Sequence, residues 1–388
     1  MTYMYAVLGS GRQGTAAGYD MARWGDAEKV IMADYNEKTA RSSADRINRL
    51  LGKNIAEGHF VDVTDLQSVK QVISGVDAIL SAVPYYYNLE LTKAAIEAGA
   101  HMADLGGNTE IVRKQHQFDE AARTAGVSII PDCGQVPGLG TILCVYAMGL
   151  IDETSDVYMW DGGIPQKPRP PFNYLLTFNI AGLTNEYAEP AIFLRDGKIT
   201  EVEPMTELEM VDFPPPIGQL EAFVAGGGTS TMPWTFEGKL RTLQNLTLRY
   251  PGNLAQLRAF WDLGLWSQDP VQINNGKVIP RDVFHALFEP KVTFPEDKDL
   301  CIIRVQASGV KDRQPATVQV EMIDYYDETT GFTAMERATA WSAALVVELA
   351  AHGRTPRGAG GVETFVPAAE VVAGLRQRGV NIIENYLP

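Results

Sequence analysis

The chain has 388 residues, 45% hydrophobic and 21% charged, a composition that excludes a disordered protein and leaves room for two domains. Its net charge of −15, with no run of lysines or arginines, argues against nucleic acid or an anionic membrane surface as a partner. No apolar run is long enough to span a bilayer, and Met1-Thr2-Tyr3-Met4 leads into a strand rather than a signal peptide.

The first elements are the most explicit. Tyr5 to Leu8 is an apolar run with strand composition, and Gly9-Ser10-Gly11-Arg12-Gln13-Gly14 follows at once. A helical pattern opens at Thr15. A second apolar run, Val30 to Ala33, ends in Asp34, twenty residues after Gly14. This is the grammar of a dinucleotide-binding unit. Gly9 makes the tight turn, Gly11 lets the backbone approach a pyrophosphate, and Gly14 lets helix and strand pack closely. Arg12 and Gln13 open the helix whose N-terminus faces the phosphates. Asp34 is expected to accept hydrogen bonds from the adenosine ribose and repel a 2′-phosphate, which favours NAD over NADP.

Alternation of strand and helix continues. Glu37 to Leu51 reads as a helix and His59 to Val63 as a strand, placing Asp62 and Val63 beside the adenine. Leu66 to Ile73 is helical, and Ala78 to Val83 is an apolar strand that brings Ala82 and Val83 to the cofactor. The loop Pro84 to Asn88 carries Tyr85, Tyr86 and Tyr87. Then come the helix Leu89 to Ala98, the strand His101 to Leu105, the helix Ile111 to Thr124 and the strand Val127 to Pro131. Such strands imply a parallel sheet covered on both faces, with ligands at the strands' carboxyl ends. Asp132, Gly134 and Pro137-Gly138 mark the crossover to a second domain, with Gly138 starting the next helix, Leu139 to Leu150, near the nicotinamide ribose.

Beyond that helix the pattern becomes strand-rich: Val157 to Trp160, Tyr174 to Phe178, Glu221 to Ala225, Leu243 to Tyr250, Cys301 to Ala307 and Ala316 to Ile323. Turn-rich stretches, notably Gly162 to Pro165 and Lys167 to Pro171, separate them. Helices are expected near Leu254 to Leu263 and Arg281 to Leu287. The fold class is therefore α/β, a Rossmann doubly wound parallel sheet plus a second α+β domain with a mostly antiparallel sheet. The NAD-binding domain is placed at 1–134 and the substrate domain at 135–332. Late helices from about Thr333 to Ala351 and Ala368 to Arg378, within 333–388, are candidates to pack back on the first domain.

Several segments together resemble the saccharopine dehydrogenase family. They are Gly162-Gly163-Ile164-Pro165, Lys167 to Pro171 with Tyr174, Arg195-Asp196-Gly197-Lys198 and Thr247-Leu248-Arg249-Tyr250-Pro251-Gly252. Ala103-Asp104-Leu105-Gly106-Gly107, Gly226 to Thr231 and Lys277 to Val283 look most like its lysine 6-dehydrogenase branch. The resemblance implies NAD-dependent oxidative deamination of the lysine side-chain amine to allysine, which cyclises to piperideine-6-carboxylate with release of ammonia. Where saccharopine-forming relatives carry an arginine, this chain has Gly227-Gly228-Thr229-Ser230. The alternatives are an enzyme acting on a secondary amine, of saccharopine or carboxynorspermidine type, and a non-catalytic NAD-binding sensor.

The chemistry sets its own requirements. Hydride loss beside an amine needs the neutral amine, whereas a lysine side chain has a pKa of about 10.4, so a base or desolvation is required. Asp104, at a strand's carboxyl end, is the first candidate to orient the amine and take its proton; the competing reading is a carboxylate capping its own turn. Tyr85 and Tyr86 would wall the nicotinamide pocket or hydrogen-bond the substrate, or simply pack. Arg249 is the candidate fork for the α-carboxylate of L-lysine, or else an ion pair holding a turn. Thr229 and Ser230 would offer hydroxyls to the amino-acid end. Lys167, Arg169 and His285 read as structural. Cys133, Cys144 and Cys301 read as reduced core thiols, and no His/Cys/Asp cluster has metal-ligand spacing. A cytoplasmic homo-oligomer, dimer or tetramer, is expected, with Phe260 to Trp266 as an interface.

Overall fold

Alternate residues of the first strand enter different cores. Tyr5 and Val7 join one buried cluster, and Ala6 and Leu8 another, as in a parallel sheet covered on both faces. The computed structural model describes residues 1–274 and 276–387. Its first strands are β1 (Tyr3–Leu8), β2 (Ala27–Asp34), β3 (Ala56–Phe60), β4 (Ala78–Ser81), β5 (His101–Asp104) and β6 (Ser128–Ile130). A second group comprises β7 (Glu153–Pro165), β8 (Ala191–Arg195), β9 (Lys198–Val202), β10 (Glu209–Asp212), β11 (Gln219–Val224) and β12 (Thr242–Arg249). The chain ends with β13 (Val271–Ile273), β14 (Gly276–Val278), β15 (Asp299–Lys311), β16 (Gln314–Tyr325), β17 (Gly358–Ala359) and β18 (Ile382–Leu387).

The first sheet has the order β17-β6-β5-β4-β1-β2-β3, and every neighbouring pair is parallel. Its first six strands follow the Rossmann order. The second sheet runs β10-β11-β12-β7-β15-β16-β18, with the β8–β9 hairpin joined to β12. All its pairs are antiparallel except β12 with β7. The expected fold class is thus the observed one. Among the described residues no helix is long and apolar enough to cross a membrane.

One core joins the two sheets. Cys144 on the helix Gly140–Met148 and Met159 on β7 lie in the same cluster as Val7 and Ala343. The helix Ser342–Ala351 packs on β4 and β5, β17 extends the first sheet, and β18 pairs with β16 in the second. A buried ion triad fastens this return. Arg378 holds Asp20 at 2.9 Å and Glu348 at 2.7 Å, and burial raises the pKa of both acids against its charge.

Several expectations need correction. The helix expected over Ile111 to Thr124 is two, Thr109–His116 and Asp119–Ala125. Gly162 to Pro165 is strand, not turn: a Cβ on Gly162 would stand 2.6 Å from the Leu248 carbonyl, so glycine lets β7 and β12 approach closely. Tyr174 to Phe178 forms no strand; Tyr174 and Leu176 fill an aromatic core with Phe223 and Phe288. The third strand ends at Phe60, leaving Asp62 and Val63 in the following loop.

Candidate active site

The glycine turn is shaped by contacts that leave one side open. Gly9 has φ +98°, and a Cβ there would stand 2.6 Å from the Ala82 carbonyl and 3.1 Å from Val83. A Cβ on Gly14 would reach 1.9 Å from the Gly9 carbonyl. Nothing lies within 4 Å of a Cβ on Gly11, so no protein contact demands glycine there. A cradle for a pyrophosphate at the start of the helix Arg12–Trp24 does, and the residues therefore fit a dinucleotide. Asp34 accepts the main-chain N–H groups of Ser10 and Asn36, each at 2.9 Å. Arg12 is engaged elsewhere, donating to Glu336 at 2.7 Å, and Gln13 Oε1 is buried without a partner. Asp62 holds Thr64, whose hydroxyl and N–H depress its pKa, and Val63 packs under the sheet.

At the nicotinamide end, Tyr85 lies against Gly107, 3.0 Å from where a Cβ would stand, and Tyr86 is 58% exposed with its ring 4.5 Å from Tyr87. Asp104, the first candidate to orient the amine and take its proton, does not face an open cleft. It is buried beneath the loop, with one oxygen taking the N–H groups of Gly106 and Asp132 and the other the Gln115 amide at 2.7 Å. Its second reading, a carboxylate that fixes its own turn, fits these bonds. Burial outweighs them and raises its pKa.

Asp132 lies next to it, its N–H donating to Asp104. It follows β6, lies in a left-handed conformation (φ +60°) and is 3% exposed. Ser230 donates a hydrogen bond to Oδ2, while Oδ1 is buried with no side-chain donor among the described residues. Burial first, then the Asp104 charge, pushes its pKa up to about 7. Gly138 does not start a helix: a Cβ there would stand 2.5 Å from the Cys133 main chain, and the helix begins at Gly140. Thr229 is also reassigned, since its hydroxyl donates to the Ile192 carbonyl at 2.7 Å and cannot also serve a substrate through that proton.

The inner face of the second sheet continues the polar surface. Asn245, Thr247 and Arg249 share one face of β12 by their alternation, and Asp161 on β7 pairs in register with Thr247. Arg249 is 4% exposed; it donates to its neighbour Leu248's carbonyl and to Tyr187, both at 2.9 Å, and stands 3.7 Å from Glu186. Among the described residues its Nε is buried without a partner, as are Gln135 Nε2, Asn245 Oδ1 and Tyr174 Oη. Buried polar atoms are nearly always satisfied, so a group of orphans in one region marks a surface made for a ligand. Burial raises the pKa values of Asp161 and Glu186, and the Arg249 guanidinium opposes it in both. Glu186 keeps 34% of its side chain accessible.

The sequence therefore singled out Arg249, Ser230 and the glycine turn, took Asp132 only as a marker of the crossover, and did not name Asp161, Glu186, Gln135 or Asn245. Asp132 carried the same signal as Asp104, an acid at a strand's carboxyl end. The others sit in strands and helices whose facing is fixed only by tertiary packing.

Two family models match the chain. One, described as the saccharopine dehydrogenase NADP binding domain, covers residues 5–130, and the other, the saccharopine dehydrogenase C-terminal domain, covers 134–380. A saccharopine dehydrogenase (NADP(+), L-glutamate-forming) of Pyricularia oryzae is 24% identical over 221 residues, 54% of this chain and 48% of that protein. The mitochondrial alpha-aminoadipic semialdehyde synthase of Rattus norvegicus is 24% identical over 277 residues, 68% of this chain and 28% of that one. The chain thus spans half or less of the length of these curated relatives. Among solved structures, apo saccharopine dehydrogenase (L-Glu forming) from Saccharomyces cerevisiae matches with a TM-score of 0.79 at 17% identity, covering 100% of both chains. Homospermidine synthase from Legionella pneumophila, in complex with NAD, matches with 0.64 at 12% identity, over 100% of this chain and 92% of that one. At these identities the likeness is one of fold.

Proposed function

The chain belongs to the saccharopine dehydrogenase family, and on that premise we propose that it is an NAD-dependent dehydrogenase that deaminates the side-chain amine of L-lysine. The observation that carries this reading is the charge balance of the cleft. Asp161 and Glu186 face one guanidinium, Arg249, and Asp132, whose carboxyl is supported by Ser230, keeps a buried oxygen without a side-chain donor among the described residues. Such a lining suits a cationic amine with a single carboxylate. It opposes a substrate bearing several carboxylates, each of which would need its own cation.

Residues of the chain then divide the work. Arg249, whose Nε has no partner among the described residues, is the donor for the α-carboxylate, with Glu186 and Asp161 beside it for the α-ammonium. Asp132 takes a proton from the side-chain ammonium; a carboxyl titrating near neutrality is suited to that transfer. Ser230 orients its second oxygen. Bound NAD supplies the hydride acceptor. Loss of hydride from the carbon beside the neutral amine leaves an iminium. Water adds to the iminium carbon, a proton of that water passes to the nitrogen, the C–N bond breaks, and ammonium and the aldehyde leave, while the proton held by Asp132 returns to solvent.

Asp34 favours NAD, because a 2′-phosphate would bring charge against a carboxylate already fixed by Ser10 and Asn36. The matching family model is described by NADP; the acid at the end of β2 is the reason for the different assignment here. Purified protein given lysine and NAD should produce NADH and free ammonia together. A second reading, a dehydrogenase of secondary amines, is favoured by the names of the relatives and by the fold shared with homospermidine synthase. NADH without ammonia, or turnover with secondary amines alone, would establish that reading and sink the first.

A further inference from the structure

A cavity of about 380 Å³ opens beside the amine cleft, where the two domains meet at the end of β17. Arg113 and His116, on the helix Thr109–His116, form one wall. Glu363, on the short helix after β17, forms another, and Trp234, from the segment that follows Ser230 and Thr231, closes the third. Nothing in the chemistry derived above uses these side chains.

Their charges are opposed but not paired. Arg113 has no carboxylate within ion-pair distance among the described residues, and its guanidinium lies 4.9 Å from the Trp234 ring. Glu363 accepts both Thr231 and Thr235 hydroxyls at Oε1, at 2.8 and 2.6 Å, while Oε2 receives no donor among the described residues. The other two charges nearby, Asp119 and Arg123, neutralise each other at 2.9 Å. His116 Nε2 is buried without a partner, and burial lowers the imidazole's pKa, which keeps the ring neutral and able to donate or accept.

A cation and an anion that line one cavity, each with hydrogen-bonding capacity to spare and with an indole against the cation, match a molecule that carries an ammonium and a carboxylate on one carbon together with an apolar substituent. We propose that this cavity binds a free α-amino acid, its carboxylate on Arg113 and its ammonium on Glu363, as a second site distinct from the amine cleft. A ligand there ties the Rossmann domain to the segment that holds the cleft. Thr231 binds the cavity's acid, and its neighbour Ser230 binds Asp132.

L-Leucine is a suitable probe, since it has both charges, an apolar side chain and no side-chain amine. Titration calorimetry on the full chain should give saturable leucine binding, at least about tenfold tighter than binding of 4-methylpentanoate, which lacks the ammonium, or 3-methylbutylamine, which lacks the carboxylate. Arg113→Gln and Glu363→Gln should each weaken leucine about tenfold or more, and Arg249→Gln should leave it unchanged. Arg113 is exposed and glutamine at 363 can still accept the threonine hydroxyls, so both variants should fold. No saturable leucine binding, equal binding of the two single-charge analogues, or loss of binding in Arg249→Gln but not in Arg113→Gln overturns the proposal. Because the readout is heat of binding, it is independent of whether lysine is deaminated.

Discussion

Replacing Asp132 by asparagine should raise stability and abolish turnover, and both effects should follow pH. Burial and Asp104 lift this carboxyl's pKa from 3.8 to about 7. Between those values the folded chain holds a proton that the unfolded chain has released. Stability contributed by the group is therefore complete below the unfolded pKa and is lost as pH rises toward 7. At about 1.4 kcal/mol per tenfold change, the ionised carboxylate costs the folded state roughly 4 kcal/mol at pH 8 and above. Asparagine has the same shape, still accepts the Ser230 hydroxyl and cannot ionise. Urea denaturation at pH 8.5 should therefore show D132N more stable by an amount of that order, with the gap narrowing steadily toward pH 4. Turnover of lysine with NAD should fall by about 10²–10⁴, the usual worth of a positioned base, and in the parent protein kcat/KM should rise with pH through about 7. Equal stability of the two proteins at pH 8.5, or a difference that ignores pH, would refute the account of Asp132 as an uncompensated buried acid. Full activity in D132N would remove it from the chemistry.

Asp34→Ala should weaken NAD binding and bring NADP closer to parity, measured by the ratio of the two kcat/KM values; equal use of both cofactors by the parent protein would contradict the role given to Asp34. Arg378→Met leaves Asp20 and Glu348 buried without their shared cation, and should cost about 3–5 kcal/mol in urea denaturation; Asp20→Asn with Glu348→Gln in the same chain should recover part of it. Leu263 is 75% exposed, with Leu287 at 68%, Val271 at 50% and Ile273 at 49% around it in sequence. Light scattering on the eluting protein should find a dimer or tetramer, and Leu263→Glu should shift it toward monomer; a monomeric parent would remove this segment as an interface.

The Rossmann half was legible because its signals are local. A strand buried on both faces is apolar throughout, and the positive φ of Gly9 and the close approach at Gly14 are requirements that glycine alone meets. The second domain was read less well where composition and pairing part company. Tyr174 to Phe178 has the residues of a strand, yet its aromatic rings serve a core, not a ladder. The β8–β9 hairpin was missed although its turn, Asp196-Gly197 with φ +49° and +78°, is the acid–glycine pair that tight hairpins require. The final strand was invisible for another reason: Glu384 and Asn385 make it polar, and only β16 gives it a partner.

In the site the difficulty lies at a different step, the choice between two similar acids. Asp104 ends β5, Asp132 follows β6 by two residues, and both precede glycine-containing loops. What separates them is the direction of the hydrogen bonds. The Asp132 N–H donates to Asp104, so Asp104 becomes the support and Asp132 the supported group. The residue that completes Asp132 lies 98 positions away at Ser230, beyond the reach of any local pattern. Support of this kind has an electrostatic consequence. A carboxylate beneath Asp132 makes its own ionisation harder, and the approach of an ammonium makes it easier. The two acids together therefore disfavour an anion at this end of the cleft and favour a cation, so the pair that obscured the base in the sequence is also the strongest physical argument that an amine is what arrives there.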